Sequence, residues 1–141
     1  MILLDTNVLS EFMRPRPEAR VVQWLDGQRA DTLHTSAVSQ AEIELGLALM
    51  PDGKRQLELA SSAKAMFEED FAGRCLPFDA IAASHYAHLV AVRSRMGRPI
   101  TVEDAQIAAI ALAGGMVLAT RNTRGFESIT GLALINPWYG I

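Results

Sequence analysis

The first seven residues, Met1-Ile2-Leu3-Leu4-Asp5-Thr6-Asn7, constrain the fold more than any other stretch of the chain. Four apolar residues with no polar alternation read as a short strand buried on both faces, the kind found in the middle of a parallel sheet covered by helices. A carboxylate, a hydroxyl and an amide then follow in succession, where the strand ends and a helix must begin. In open α/β sheets, ligands bind beyond the carboxyl ends of the strands. Asp, Thr and Asn are also preferred helix N-cap residues. Asp5 therefore either caps a helix or points into a site, and the choice depends on whether other carboxylates arrive at the same end of the sheet.

The rest of the chain alternates helical and strand patterns. Asn7 to Phe12 reads as a short helix broken by Pro15 and Pro17, and helix resumes from Glu18 until Gly27 stops it. Thr32 to Thr35 is a weaker second strand, less apolar than the first and so expected nearer an edge. Ser36 to Met50 is a strong helix ended by Pro51, and a longer one runs from Gly53 to about Ala72. Its acid run, Glu68-Glu69-Asp70, reads as a solvated face. Cys75 to Phe78 is a third strand with Pro77 suggesting an edge, and Asp79 caps a helix to Met96. After a loop, Ala105 to Ala113 is apolar enough to be buried on most sides. Met116 to Ala119 is a second fully apolar strand, followed by Thr120-Arg121-Asn122. A last strand spans Leu132 to Ile135.

Half of the 141 residues are apolar, and the length suits one domain spanning residues 1–141. A net charge of −3 argues against coating nucleic acid by bulk electrostatics. The cations are nonetheless lopsided, eleven Arg against two Lys, and Arg is the better phosphate reader because its planar fork binds two oxygens at once. For any single Arg, a solvated surface is the competing explanation. The lone Cys75 allows no internal disulfide and fits a reducing, cytoplasmic setting. No stretch approaches a membrane span. His34, His85 and His88 lack zinc-finger spacing.

Strands alternating with helices imply a parallel sheet with right-handed crossovers. Asp5 and the Thr120–Asn122 cluster then leave two apolar strands at one end. Glu42 and Asp104 sit near the starts of helices that begin at that same end. Each has a local alternative, since Ser39-x-x-Glu42 and Thr101-x-x-Asp104 both fit a capping box. Glu42, however, falls inside its helix between apolar neighbours, and Glu44 lies roughly 200° around from it. Glu103 and Asp104 diverge by about 100°, so only one can face a shared cation; Asp104 is assigned inward and Glu103 to solvent or the helix dipole. Gathered carboxylates repel, and a divalent cation is the usual means of holding them ionised. No phosphate-binding glycine loop or nucleophile elbow competes.

The motifs Leu4-Asp5-Thr6-Asn7, Ala41-Glu42 with Gly46, Asp104-Ala105-Gln106-Ile107-Ala108-Ala109, Ala119-Thr120-Arg121-Asn122 with Phe126, and Asn136-Pro137-Trp138, taken in order, resemble the PIN-domain ribonucleases. The likeness runs end to end and is greatest to the VapC and FitB toxins of toxin–antitoxin pairs. It implies a five-stranded parallel sheet in a Rossmann-like α/β/α sandwich. It also implies Mg²⁺- or Mn²⁺-dependent cleavage of RNA, a homodimer, and inhibition by a small DNA-binding antitoxin of the VapB/FitA type, in a hetero-oligomer with the toxin. By position, Asp5, Glu42 and Asp104 match the family's metal-binding and catalytic acids, with Thr6, Asn7, Thr120 and Asn122 in support. Many relatives carry a further acid near Asn122 or just before the Phe; here those positions are Asn122 and Gly125, and Glu127 is close in sequence. Two other readings of the residues stand beside this one. One is a non-catalytic acidic pocket that docks a basic peptide. The other is a phosphoacceptor with Asp5 or Asp104 as nucleophile, for which no Lys follows the later strands.

Overall fold

In the computed structural model, which describes residues 1–140 of the expected 1–141 domain, the opening stretch forms β1, Ile2–Leu4. Leu3 and Leu4 point to opposite faces of the sheet and both are fully buried, as the alternation of side chains along a doubly covered strand requires. Helices α1 (Thr6–Phe12) and α2 (Ala19–Asp26) follow, separated by the segment that holds Pro15 and Pro17. Strand β2 (Leu33–Ser36) leads into α3 (Ala37–Ala48). Helix α4 (Lys54–Ala65) passes through one π-helical turn, Met66–Asp70, towards β3 (Cys75–Leu76). Helices α5 (Ala80–Arg95) and α6 (Val102–Gly114) precede β4 (Val117–Ala119), the short α7 (Thr123–Phe126) and β5 (Leu134–Ile135).

The five strands are all parallel in the order β3-β2-β1-β4-β5. β1 is therefore central, β3 with its following Pro77 is an edge, and the less apolar β2 lies one strand in from that edge. From β1 the chain builds outward to β3, then returns to lay β4 on the other side of β1. That reversal opens a crevice beyond the carboxyl ends of β1 and β4, which is where open α/β sheets bind ligands.

Helices cover both faces. Leu3 and Leu118 pack with α5 and α6, while Leu4 and Ala119 pack with α1, α2 and α4. Ala105 and Ile107 to Ala111 of α6 are all buried; its small side chains let the helix lie close to the sheet. The caps follow the sequence: Ser36 accepts from the Ser39 amide, Asp79 from that of Ala82, and Thr101 from that of Asp104. Gly115, in the left-handed region at φ 61°, ends α6 and turns the chain into β4.

Two sequence expectations need correction. The helix anticipated from Gly53 to Ala72 is regular only to Ala65, and its end is widened by the π turn, which buries Met66 and Phe67 while Glu68, Glu69 and Asp70 stay exposed. Arg93 is neither of the things that sequence allows an arginine here, a solvated surface charge or a phosphate reader; it is a buried strut. It is 4% exposed, its Nε donates to the Arg98 carbonyl at 2.8 Å, and its Nη1 to the carbonyls of Gly125 and Glu127 at 3.1 and 3.2 Å. The guanidinium thus ties α5 to the segment that follows β4. Arg93→Ala strands those carbonyls and should lower unfolding stability in urea by about 3 kcal/mol. Arg93→Lys should recover only part, because one ammonium cannot reproduce the planar fork.

Candidate active site

Asp5 occupies the turn where β1 becomes α1, and it takes both roles that the sequence leaves open. Its Oδ1 accepts from the Thr6 amide at 2.8 Å, as an N-cap does. Its Oδ2 accepts from the Thr120 hydroxyl at 2.7 Å, across the crevice between β1 and β4. Below it, the Asp5 amide donates to the Ala119 carbonyl at 2.9 Å, so backbone and side chain both lock the two strands together. Thr120 Oγ1 also accepts from the Asn122 amide at 3.0 Å, which fixes the direction of its one proton towards Asp5. Asn7 bridges the same gap: its Nδ2 lies 3.3 Å from Asp5 Oδ2 and 3.4 Å from Thr120 Oγ1, and its Oδ1 accepts from the Arg121 amide at 3.2 Å.

Glu42 arrives on α3. Thr6 Oγ1 donates to its Oε1 at 2.7 Å and lies 2.8 Å from the fully buried Ser39 Oγ. Thr6 has a single proton, so Ser39 donates to Thr6 and Thr6 to Glu42. Asp104 arrives on the first turn of α6, half-buried, while Glu103 is exposed. A cavity of about 560 Å³ brings Asp5, Glu42 and Asp104 together with Thr6, Asn7 and Asn122, and neither Glu44 nor Glu103 lines it. Of the expected site residues, only Thr120 does not reach the cavity wall; it stands behind Asp5.

The electrostatics follow from this crowding. Burial, first, pushes the Asp5 carboxyl up to about 6, against the lowering pull of the Thr120 and Thr6 hydrogen bonds, and the charges of Asp104 and Glu42 add to the rise. Asp104 is also raised, by burial and then by Glu103, with Thr101 opposing. None of the three acids forms an ion pair among the described residues.

Five residues of the same cavity are not among the expected site residues: Ser10, Glu11, Arg14, Arg121 and Trp138. Glu11 is 6% exposed, yet it is no further metal ligand. Its Oε1 accepts from the Glu18 amide at 2.9 Å and its Oε2 meets Arg14 Nη1 at 3.2 Å, and these partners hold its carboxyl below the usual range. Nothing in a polar residue between Ser10 and Phe12 announces this. Glu127 turns away from the cavity towards Arg98, 3.9 Å off. Asn122 caps α7 by accepting from the Gly125 amide at 3.2 Å, and a Cβ on Gly125 would lie 2.4 Å from Asn122 Nδ2. A side chain before Phe126 would have to displace the Asn122 cap.

The carboxylates present suit a divalent cation by their chemistry. They are oxygen donors only, uncompensated by any paired base, and supported from behind by hydroxyls. Among the described residues no three His, Cys, Asp or Glu side chains close into a ligand cage by themselves.

Comparison with known proteins agrees with the fold. The family model described as PIN domain matches residues 2–132. The chain is 47% identical to a plasmid stability protein, StbB, of Pseudomonas syringae pv. tomato, covering 98% of this chain and 99% of that one. It is 44% identical to a VapC ribonuclease of Sinorhizobium fredii, over 98% of each. Among solved structures, FitAcB from Neisseria gonorrhoeae superposes with a TM-score of 0.90 at 41% identity, over 99% of each chain.

The raised Asp5 carboxyl has a measurable consequence. A carboxyl that titrates near 6 when folded and 3.8 when unfolded binds its proton more tightly in the native state. Its contribution to stability is therefore largest at low pH and is lost as pH rises towards 6. Between pH 5 and 7 the metal-free protein should lose about 1 kcal/mol from this group, or about 3 °C in melting temperature. Asp5→Asn should flatten that slope in a calorimetric pH series.

Proposed function

The chain belongs to the PIN-domain family, and on that premise we propose that it is a metal-dependent endoribonuclease, the toxin of a toxin–antitoxin pair. The observation that supports this most is the convergence of Asp5, Glu42 and Asp104 on one cavity at the sheet's reversal, with no cationic side chain paired to any of them. In this reading residues 1–141 are one domain that acts in the cytoplasm. Among the described residues no helix is long and apolar enough to cross a membrane.

Asp5, Glu42 and Asp104 would hold the cation, Mg²⁺ or Mn²⁺. When bound, it acidifies water and offsets charge on the phosphodiester oxygens. The protein's own work is positional. Thr120 and the Thr6 amide aim the two Asp5 oxygens, the Ser39–Thr6 relay aims Glu42, and the first turn of α6 aims Asp104. Asn7 braces the turn after β4 against the turn after β1, and Asn122 orders the turn after β4 from within by donating its amide to Thr120. Because burial holds the Asp5 proton up to about pH 6, a cation there would have to compete with it, and metal affinity should fall with pH below that point.

The partners follow from the surface. Leu45 on α3 and Leu49 just beyond its end are 60% and 76% exposed, which supports a homodimer through that apolar surface. A second cavity, about 480 Å³, is lined by Phe12, Met13, Leu25, Leu33, Met66 and Phe71. It suits the apolar side of an antitoxin segment whose Arg or Lys reaches the acids. Phe12, 45% exposed, lines this cavity and Leu25 forms a buried part of its wall, whereas Val22 and Trp24 are half-buried outside it and Leu9 is core.

Purified protein should cut RNA in Mg²⁺ or Mn²⁺ and stop on chelation. Asp5→Asn or Asp104→Asn should lower the rate by more than about 100-fold, above the loss typical of an outer-shell partner, and Thr120→Val by about 10- to 100-fold. Glu103→Gln should keep most activity. Wild-type cleavage by the Asp5→Asn, Asp104→Asn double variant would return the acidic pocket to the alternative, a docking site for a basic peptide. Separately, Phe12→Asp should weaken copurification of the antitoxin and leave cutting intact.

A further inference from the structure

We infer that Arg121 is the phosphate grip of this cavity: a guanidinium pre-set on the Trp138 ring that takes the RNA backbone beside the bond to be cut. The inference rests on the ribonuclease reading and adds to it how a polyanion is held against three carboxylates. A chain of net charge −3 with an acidic cavity repels its own substrate, so a cation at the cavity mouth is needed to reverse the local field. Two arginines line that cavity. Arg14 is committed to Glu11 at 3.2 Å. Arg121 takes part in no ion pair and its guanidinium donates no hydrogen bond among the described residues, although it lies close enough to Glu11 to help lower that carboxyl.

The arginine is held without using its donors. Its amide donates to Asn7 Oδ1 at 3.2 Å, and its carbonyl accepts from Asn136 Nδ2 at 3.4 Å. Asn136 is itself buried, with its Oδ1 accepting from the Trp138 amide at 2.9 Å. The guanidinium carbon then lies 5.0 Å from the centroid of the Trp138 ring, which is 9% exposed. Resting over a ring engages the guanidinium through the face of the aromatic and leaves its N–H edges free. A planar fork with free edges matches two oxygens of one phosphate. Because the ring already restricts the side chain, less rotamer freedom is lost when the strand binds. Asn7 joins the two ends of the device: one side chain touches Asp5 Oδ2 and the Arg121 amide, so the grip and the acid centre keep a fixed spacing.

The test uses two measurements on the purified protein. The first is binding of a fluorescent single-stranded RNA, followed by anisotropy in chelator, where no cutting occurs. Arg121→Ala should weaken binding about tenfold, the loss of one charge-assisted contact, and make the dependence of log affinity on log salt shallower by about 0.7. Arg121→Lys should keep the salt slope but recover affinity only in part. Arg29→Ala, which removes the same charge from a pair with Asp31 away from the cavity, should bind like wild type. The second is cleavage in Mg²⁺ or Mn²⁺, where Arg121→Ala should raise KM about tenfold and change kcat by less than about threefold. Trp138→Phe should stay near wild type, and Trp138→Leu should raise KM while its kcat holds. Unchanged binding and salt slope in Arg121→Ala, an equal loss in Arg29→Ala, or a lowered melting temperature with wild-type KM would each overturn the assignment. Failure of the wild-type protein to cut RNA would count against the ribonuclease reading instead, since the binding comparison does not depend on cutting.

Discussion

The hydrogen bond from Thr120 to Asp5 is the interaction on which the site depends. It joins residues 115 positions apart, at the ends of two strands that are neighbours only because the chain doubles back on its sheet. Asp5 is nearly without solvent exposure and carries its charge beside two other acids. Left to itself such a carboxyl would protonate or force the crevice apart. Thr120, the Thr6 amide and Asn7 offset part of that cost and fix the direction of the oxygens, leaving them aimed into the cavity. The stored repulsion is what a cation relieves, so a site that is poor for stability alone is suited to binding.

Much of this is legible in the residues. Runs without polar alternation identify β1 and β4, and their burial on both faces follows directly. Ser36, Asp79 and Thr101 announce their helices by composition. The divergence of neighbouring helical positions separates Asp104 from Glu103 and Glu42 from Glu44. Glu11 and Arg93 are the failures, and they share a cause. Each is a charged residue whose burial is made possible by distant backbone groups, the Glu18 amide for one and the carbonyls of Arg98, Gly125 and Glu127 for the other. Local pattern carries no trace of a partner that only the tertiary fold supplies. The π turn after α4 escaped for a similar reason, since Met66 and Phe67 turn inward to fill the core next to Phe71.

The cavity is also an arrangement of opposed fields. Acids line its floor, Arg14 is neutralised by Glu11, and Arg121 remains exposed at the side, backed by Trp138. A cation and a polyanion are thus accommodated within one space of about 560 Å³. Before Phe126, a side chain in place of Gly125 would displace the Asn122 cap that stands next to Arg121 in the chain.

The separation of Asp5 from Thr120 along the chain has a meaning for synthesis as well. During translation the first acid emerges early, but β1 lacks its β4 neighbour, and Asp5 its hydroxyl, until residues past 120 have left the ribosome. Long-range pairing of this kind forms late, because the loop must close before any contact stabilises it. A nascent chain therefore carries its acids unassembled, and the ribosome that makes the enzyme is not exposed to a finished active site while the strand that completes it is still being added.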